Sequence, residues 1–168
     1  MQFIKCTREA LLKPLQIVGG IVEGRQTLAI LSHILVEKNG QSVTFTTTDL
    51  EIQIRTHAEI GIGEESVQTT LPANKIITLL NAIPGASSEV SLDRDEKNVQ
   101  LRTSNGKYKL NQMSAAEYPS IPKSEMPTEV SLPSKTLRHL LQMVHFAMAQ
   151  QDIRYYLKQT DYSIKQIC

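Results

Sequence analysis

Apolar residues recur at helical spacing in three places along the chain, each time just after a short run suited to a strand. Phe3-Ile4-Lys5-Cys6-Thr7 leads into Leu11, Leu12, Leu15 and Val18. Val67-Gln68-Thr69-Thr70-Leu71-Pro72 leads into Ile76, Ile77, Leu80 and Ile83. Val130-Ser131-Leu132-Pro133 leads into Leu137, Leu141 and Val144. A period near 3.6 predicts an amphipathic helix, and the runs before it read as strands. The first apolar set recurs 65 residues on, 11, 12, 15 and 18 becoming 76, 77, 80 and 83. Leu71-Pro72-Ala73 recurs 61 residues on as Leu132-Pro133-Ser134. Repetition of this kind indicates duplicated supersecondary units.

Between these anchors the pattern predicts strands. Thr7 caps a helix over 8–18 and Gly19-Gly20 stops it. Strands at 33–37 and 42–48 flank Lys38-Asn39-Gly40-Gln41, where Asn-Gly suits a tight hairpin. Leu50, Ile52 and Ile54 alternate with Glu51, Gln53 and Arg55, as in a strand with one buried face. A loop at Gly61–Glu65 precedes a strand over 66–71 and a helix over 73–82, with Pro72 near its first turn. Strands follow at 88–92, 98–103 and 107–113. Each unit is then a strand, a helix and a run of antiparallel strands, which is an α+β architecture of two helices packed on sheets per domain. Two units make a first domain over 1–118. The stretch from Ala115 through Thr128 carries Pro119, Pro122 and Pro127 and reads as linker, with 119–128 joining the domains. A second domain starts over 129–168, too short for a full copy of the first. The first domain is expected to fold by itself.

Composition adds exclusions. The chain has 168 residues, of which 40% are hydrophobic and 21% charged, as in ordinary globular proteins. Eighteen basic and 17 acidic residues leave a net charge of +1, which argues against a tightly gripping nucleic-acid binder. Cys6 and Cys168 form no metal spacing and no disulfide framework. Lys5, Arg8 and Glu9 interrupt any leader-like apolar run, and no stretch approaches a membrane span. The expectation is a cytoplasmic protein without membrane contact.

Candidate chemistry is sparse. Asp49 and Glu51 share a strand face and can in principle hold a divalent metal for an enzyme, but Leu50, Ile52 and Ile54 facing the core place both carboxylates in solvent. Gly61-Ile62-Gly63 does not open a helix as a phosphate loop must. His33, His57, His139 and His145 have no ligand spacing. No catalytic constellation, metal site or cofactor site is expected. Two surface signals remain. Glu23-Gly24-Arg25-Gln26 presents one guanidinium suited to a phosphate. Gln150-Gln151-Asp152-Ile153-Arg154-Tyr155-Tyr156-Leu157 sets two aromatics beside an arginine, suited to stacking on bases or anchoring a peptide.

Several stretches together resemble one family: Leu11-Leu12-Lys13-Pro14-Leu15-Gln16, Thr27-Leu28-Ala29-Ile30-Leu31, Thr48-Asp49-Leu50-Glu51-Ile52, Ala115-Ala116-Glu117-Tyr118-Pro119 and Phe146 through Leu157. They resemble the bacterial sliding clamp, the beta subunit of DNA polymerase III, in family order. The resemblance implies a DNA-clamp fold and a non-catalytic processivity factor, in which two subunits close head to tail around duplex DNA. It implies as partners the polymerase III catalytic subunit, the clamp loader and other clamp-binding replication and repair proteins. Carried over by motif, Arg25, Lys13, Gln151, Tyr155 and Tyr156 belong to the DNA side. Arg154 and Leu157 begin the pocket for partner peptides, and Lys75, Lys107, Tyr108 and Leu110 belong to the dimer interface. The match lapses after Leu157, which reads as a truncated second domain. The alternative reading is a monomeric remnant that acts only as an interaction module.

Overall fold

The computed structural model describes residues 1–22, 28–119 and 131–145. The chain separates into two compact units, Met1–Pro122 and Lys123–Cys168.

The first unit begins with strand β1 (Gln2–Thr7) and helix α1 (Arg8–Gly19). Strands β2 (His33–Asn39), β3 (Ser42–Thr48) and β4 (Gln53–Glu59) follow. The same order then repeats with β5 (Val67–Pro72), α2 (Ala73–Ala82), β6 (Glu89–Arg94), β7 (Asn98–Thr103) and β8 (Gly106–Asn111). The Thr7 side chain accepts the Ala10 N–H at 3.4 Å and caps α1.

The two sheets have strand orders β1-β6-β7-β8 and β4-β3-β2-β5. Each repeat therefore lends its first strand to the other repeat's three. Neither repeat has a complete sheet alone, which is the physical reason the two repeats fold as one domain. The registers agree across the halves: Leu35 pairs with Thr46 and Thr46 with Arg55, as Ser91 pairs with Arg102 and Arg102 with Lys107. One continuous core takes Leu11, Leu15 and Val18 from α1, Ile76 and Leu80 from α2, and Phe3, Ile34, Phe45, Leu71, Leu92 and Leu101 from the sheets.

Three expectations are corrected. Residues 49–52 are a turn, and β4 begins only at Gln53. The Asp49 carboxylate accepts the N–H groups of Glu51 and Ile52 at 2.9 and 2.7 Å, closing a local turn that competes with strand pairing. Leu50 takes φ +82°, and Leu50 and Ile52 are 49% and 51% exposed rather than buried. At the β2–β3 turn Asn39 still pairs with Ser42, so Gly40, at φ +58°, opens the turn. Residues 115–118 do not behave as linker: Ala115–Glu117 form a short 3-10 turn and Tyr118 is buried. The chain from 120 to 130 lies outside the described residues.

In the second unit α3 spans Ser134–His145, as the third periodic run predicts. Leu132, Leu137, Leu140 and Val144 are exposed. Residues 131–133 form no strand, and Val130 is not described.

Candidate functional site

Four strands end the two sheets: main chain bonds along the outer edge of β1, and side chains of β5 bond to the segment that follows β8. Along β1, the Lys5 N–H reaches the Ile60 carbonyl at 3.4 Å, and the Ile62 N–H donates to the Phe3 carbonyl at 3.1 Å. Along β5, Thr69 Oγ1 donates to Gln112 Oε1 at 2.7 Å, and the Met113 N–H donates to Thr70 Oγ1 at 2.8 Å. Among the described residues, β4 and β8 have no strand on their outer edges. An open edge of unpaired N–H and C=O groups is a template for another strand.

β8 carries three of the four expected interface residues. Lys107 and Tyr108 are exposed on it, and Lys75 of α2 donates through Nζ to the Lys109 carbonyl at 3.2 Å. Leu110 is the correction: it is 0% exposed, because it faces the core opposite Val99, so its side chain is not available to a partner. Tyr108 folds back over Gly106, where an added Cβ would lie 3.4 Å from its hydroxyl. Beside it is a cavity of about 200 Å³ walled by Leu79, Ala82, Ile83 and Pro84 together with Thr103 and Asn105. A free strand edge, flanking cations and an adjoining recess are the elements of recognition by strand addition.

The exposed positions of α1 and α2 are mostly polar. α1 shows Lys13 and Gln16 together with Ile17, and α2 shows Asn74, Lys75, Thr78 and Asn81. Lys13 Nζ lies 2.7 Å from Glu9 Oε1, and this partner holds the Glu9 carboxyl below its ordinary range. The pair cancels most of the charge a phosphate would see at Lys13. Arg8, which sequence reasoning did not single out, fixes the helix pair. Its Nη1 donates to the carbonyls of Leu80 and Ile83 at 3.2 and 3.1 Å, at the C-terminal end of α2 where a cation is favoured. Arg25, Gln151, Arg154, Tyr155, Tyr156 and Leu157 lie outside the described residues.

No group of three or more His, Cys, Asp or Glu able to hold a metal occurs among the described residues. The Asp49 carboxylate is engaged by its own turn. Burial pushes the Cys6 thiol up to about 11, so it stays protonated at neutral pH. His33 Nδ1 lies 3.2 Å from Thr70 Oγ1, and burial lowers its pKa. His57 Nδ1 lies 3.3 Å from Thr44 Oγ1.

Residues 1–122 match the profile of the DNA polymerase III beta subunit, N-terminal domain. The chain belongs to the beta sliding clamp family. It is 35% identical over 150 residues to the beta sliding clamp of Pseudomonas putida, covering 89% of this chain and 41% of the relative. Identity to the Escherichia coli K12 beta sliding clamp is 33% over 150 residues, with the same coverage of 89% and 41%. A Pseudomonas aeruginosa sliding clamp solved with griselimycin superimposes at a TM-score of 0.85 with 33% identity, covering 93% of this chain and 42% of that one. The polymerase III beta protein of Caulobacter crescentus gives 0.84 at 27% identity, covering 94% and 42%. The α+β architecture read from the repeats and the clamp fold implied by the resemblance thus stand. The chain spans about 41% of the length of the curated clamps it matches. No described helix is long and apolar enough to cross a membrane.

Proposed function

We propose that this chain serves as part of a DNA sliding clamp, a non-catalytic cytoplasmic subunit that encircles duplex DNA and tethers the replicative polymerase. Residues 1–118 form the first ring domain, 119–128 link it onward, and 129–168 begin the second. The open edge of β8 carries this reading most directly. With Lys75, Lys107 and Tyr108 around the recess under α2, it supports closure against a neighbouring subunit by strand addition, and Lys107 and Lys109 favour an acidic partner strand. The nearly neutral helix surface, with Lys13 held by Glu9, suits a ring that slides, because tight phosphate contact would pin it. Arg25, Gln151, Tyr155 and Tyr156 belong to the DNA side in this reading, and Arg154 and Leu157 to the pocket for peptides of the polymerase, the clamp loader and other clamp-binding proteins.

The test is topological. Protein from the native cells is loaded onto nicked circular duplex DNA with a clamp loader, and the circle is then cut once. A clamp stays on the circle and is lost after the cut. Equal retention on circular and linear DNA, or no retention on either, overturns the proposal.

A further inference from the structure

The agreement of the registers identifies a pair of cations in equivalent places. Lys38 pairs with Val43 and Val43 with Ala58, while Arg94 pairs with Val99 and Val99 with Leu110. Each cation lies at or next to the end of the second strand of its repeat, in line with buried residues: Ile34 and Val36 before Lys38, Val90 and Leu92 before Arg94.

In the first half this place is filled by the chain itself. Lys38 is 1% exposed, and its Nζ donates to the carbonyls of Gly63 and Glu65 at 2.7 and 2.6 Å. The filling segment is stitched to the β2–β3 turn by the Gly61 N–H, which donates to the Gln41 carbonyl at 2.8 Å. It lies so close that an added Cβ on Gly61 would stand 2.6 Å from the Gly40 carbonyl oxygen. The buried ammonium is tolerable because these acceptors replace its water.

In the second half the chain leaving β8 takes another course. Gln112 Nε2 donates to the carbonyls of Asp95 and Glu96 at 3.2 and 2.7 Å, while the Met113 N–H turns to Thr70. What remains at Arg94 is a groove of about 660 Å³ walled by Gln68, Thr69, Arg94, Lys97, Gln112 and Ser114, with Glu96 its one carboxylate. The guanidinium of Arg94, a half-buried residue, and the Lys97 ammonium make no side-chain hydrogen bond or ion pair among the described residues.

We propose that this groove binds a short, extended, acidic peptide segment of a partner protein. Its carbonyl and carboxylate oxygens meet Arg94 as the Gly63 and Glu65 carbonyls meet Lys38. The volume is that of an ordinary ligand site. Extended main chain is the occupant because main chain fills the equivalent place in the first half. An acidic segment is favoured because two unpaired cations face one carboxylate, and a guanidinium binds carboxylate in a two-pronged manner. The site lies within the first unit and does not depend on ring closure.

The probe is a capped peptide Ile-Gly-Ile-Gly-Glu-Glu-Ser, the sequence of residues 60–66. It is titrated into the full isotopically labelled chain and followed by amide NMR shifts. Saturable shifts are expected at Arg94, Lys97 and 112–116. Arg94→Gln is expected to weaken binding by about tenfold or more, as for one charge-assisted contact. Replacing both glutamates of the peptide with glutamine weakens it similarly. Lys97→Gln, at an exposed position, gives a second reading should Arg94→Gln disturb folding. Several outcomes overturn the proposal: no shifts at millimolar peptide, shifts centred away from the groove, affinity indifferent to the substitutions, or displacement of the peptide by a duplex oligonucleotide, which would make this a phosphate site.

Discussion

The hydroxyl of Tyr118 donates to the main-chain carbonyl of His33 at 3.0 Å and approaches the Thr46 carbonyl at 3.3 Å. It therefore pegs the chain after β8 across β2 and β3. The same segment is held at Thr70 by Met113. The exit from the first unit is a packed part of the domain rather than a free tether.

Removing the peg gives a first prediction. Tyr118→Phe leaves buried carbonyls short of a donor and is expected to cost about 1–2 kcal/mol in urea unfolding at neutral pH. Burial pushes the Tyr118 hydroxyl up to about 12 from its ordinary 10. A raised native pKa means the unfolded state loses its proton first, so this contribution is whole below pH 10 and fades between pH 10 and about 12. The stability of Tyr118→Phe should fall less over that interval than that of the parent chain. Parallel alkaline curves would remove the peg from the account.

His33, beneath the peg, titrates in the opposite sense. Its native pKa is lowered by burial, so the unfolded state binds the proton more readily. Stability is full above roughly pH 6.5, the ordinary histidine value, and declines as pH falls toward the lower native pKa. The His33 imidazole resonances should titrate below the ordinary histidine value of about 6.5. A His33 midpoint at or above about 6.5 contradicts this.

These two residues also mark the limit of what the sequence reveals. The helix over 73–82 was legible because Pro72 and the apolar period both delimit it, and the structure gives the same span. The alternation Leu50, Ile52, Ile54 misled because a period of two contains no sign of a carboxylate closing its own turn, and only Ile54 packs on the core. The exchange of β1 and β5 between sheets was not legible, since local pattern does not say which distant strand is the neighbour. The same reason hid the open edge of β8 and the buried fate of Leu110. Arg94 and Lys38 resemble ordinary surface cations until the registers align them.

Glycines separate close packing from backbone freedom. Gly61→Ala forces a Cβ to 2.6 and 3.0 Å from the carbonyl oxygens of Gly40 and Gln41, backbone atoms that move only with the hairpin. A loss of about 2–3 kcal/mol is expected. Gly63→Ala has no neighbour within 4 Å but holds φ +72°, so about 1 kcal/mol is expected. Chemical denaturation of both variants checks the order, and the reverse ranking would locate the constraint at Gly63.

Leu50 offers a change expected to stabilise. A leucine at φ +82° is held there by Thr48 Oγ1, which accepts the Leu50 N–H at 3.0 Å, and by the Asp49 turn. Its side chain is 49% exposed, so little burial offsets the backbone strain. Asparagine accepts the left-handed region more readily and keeps the hydrogen bonds of Thr48 and Asp49. Leu50→Asn should therefore raise stability by about 0.5–1 kcal/mol, read as a higher urea midpoint with an unchanged slope. A lower midpoint would mean that the leucine side chain packs against something its exposure does not reveal, and would make this turn a surface held for a partner.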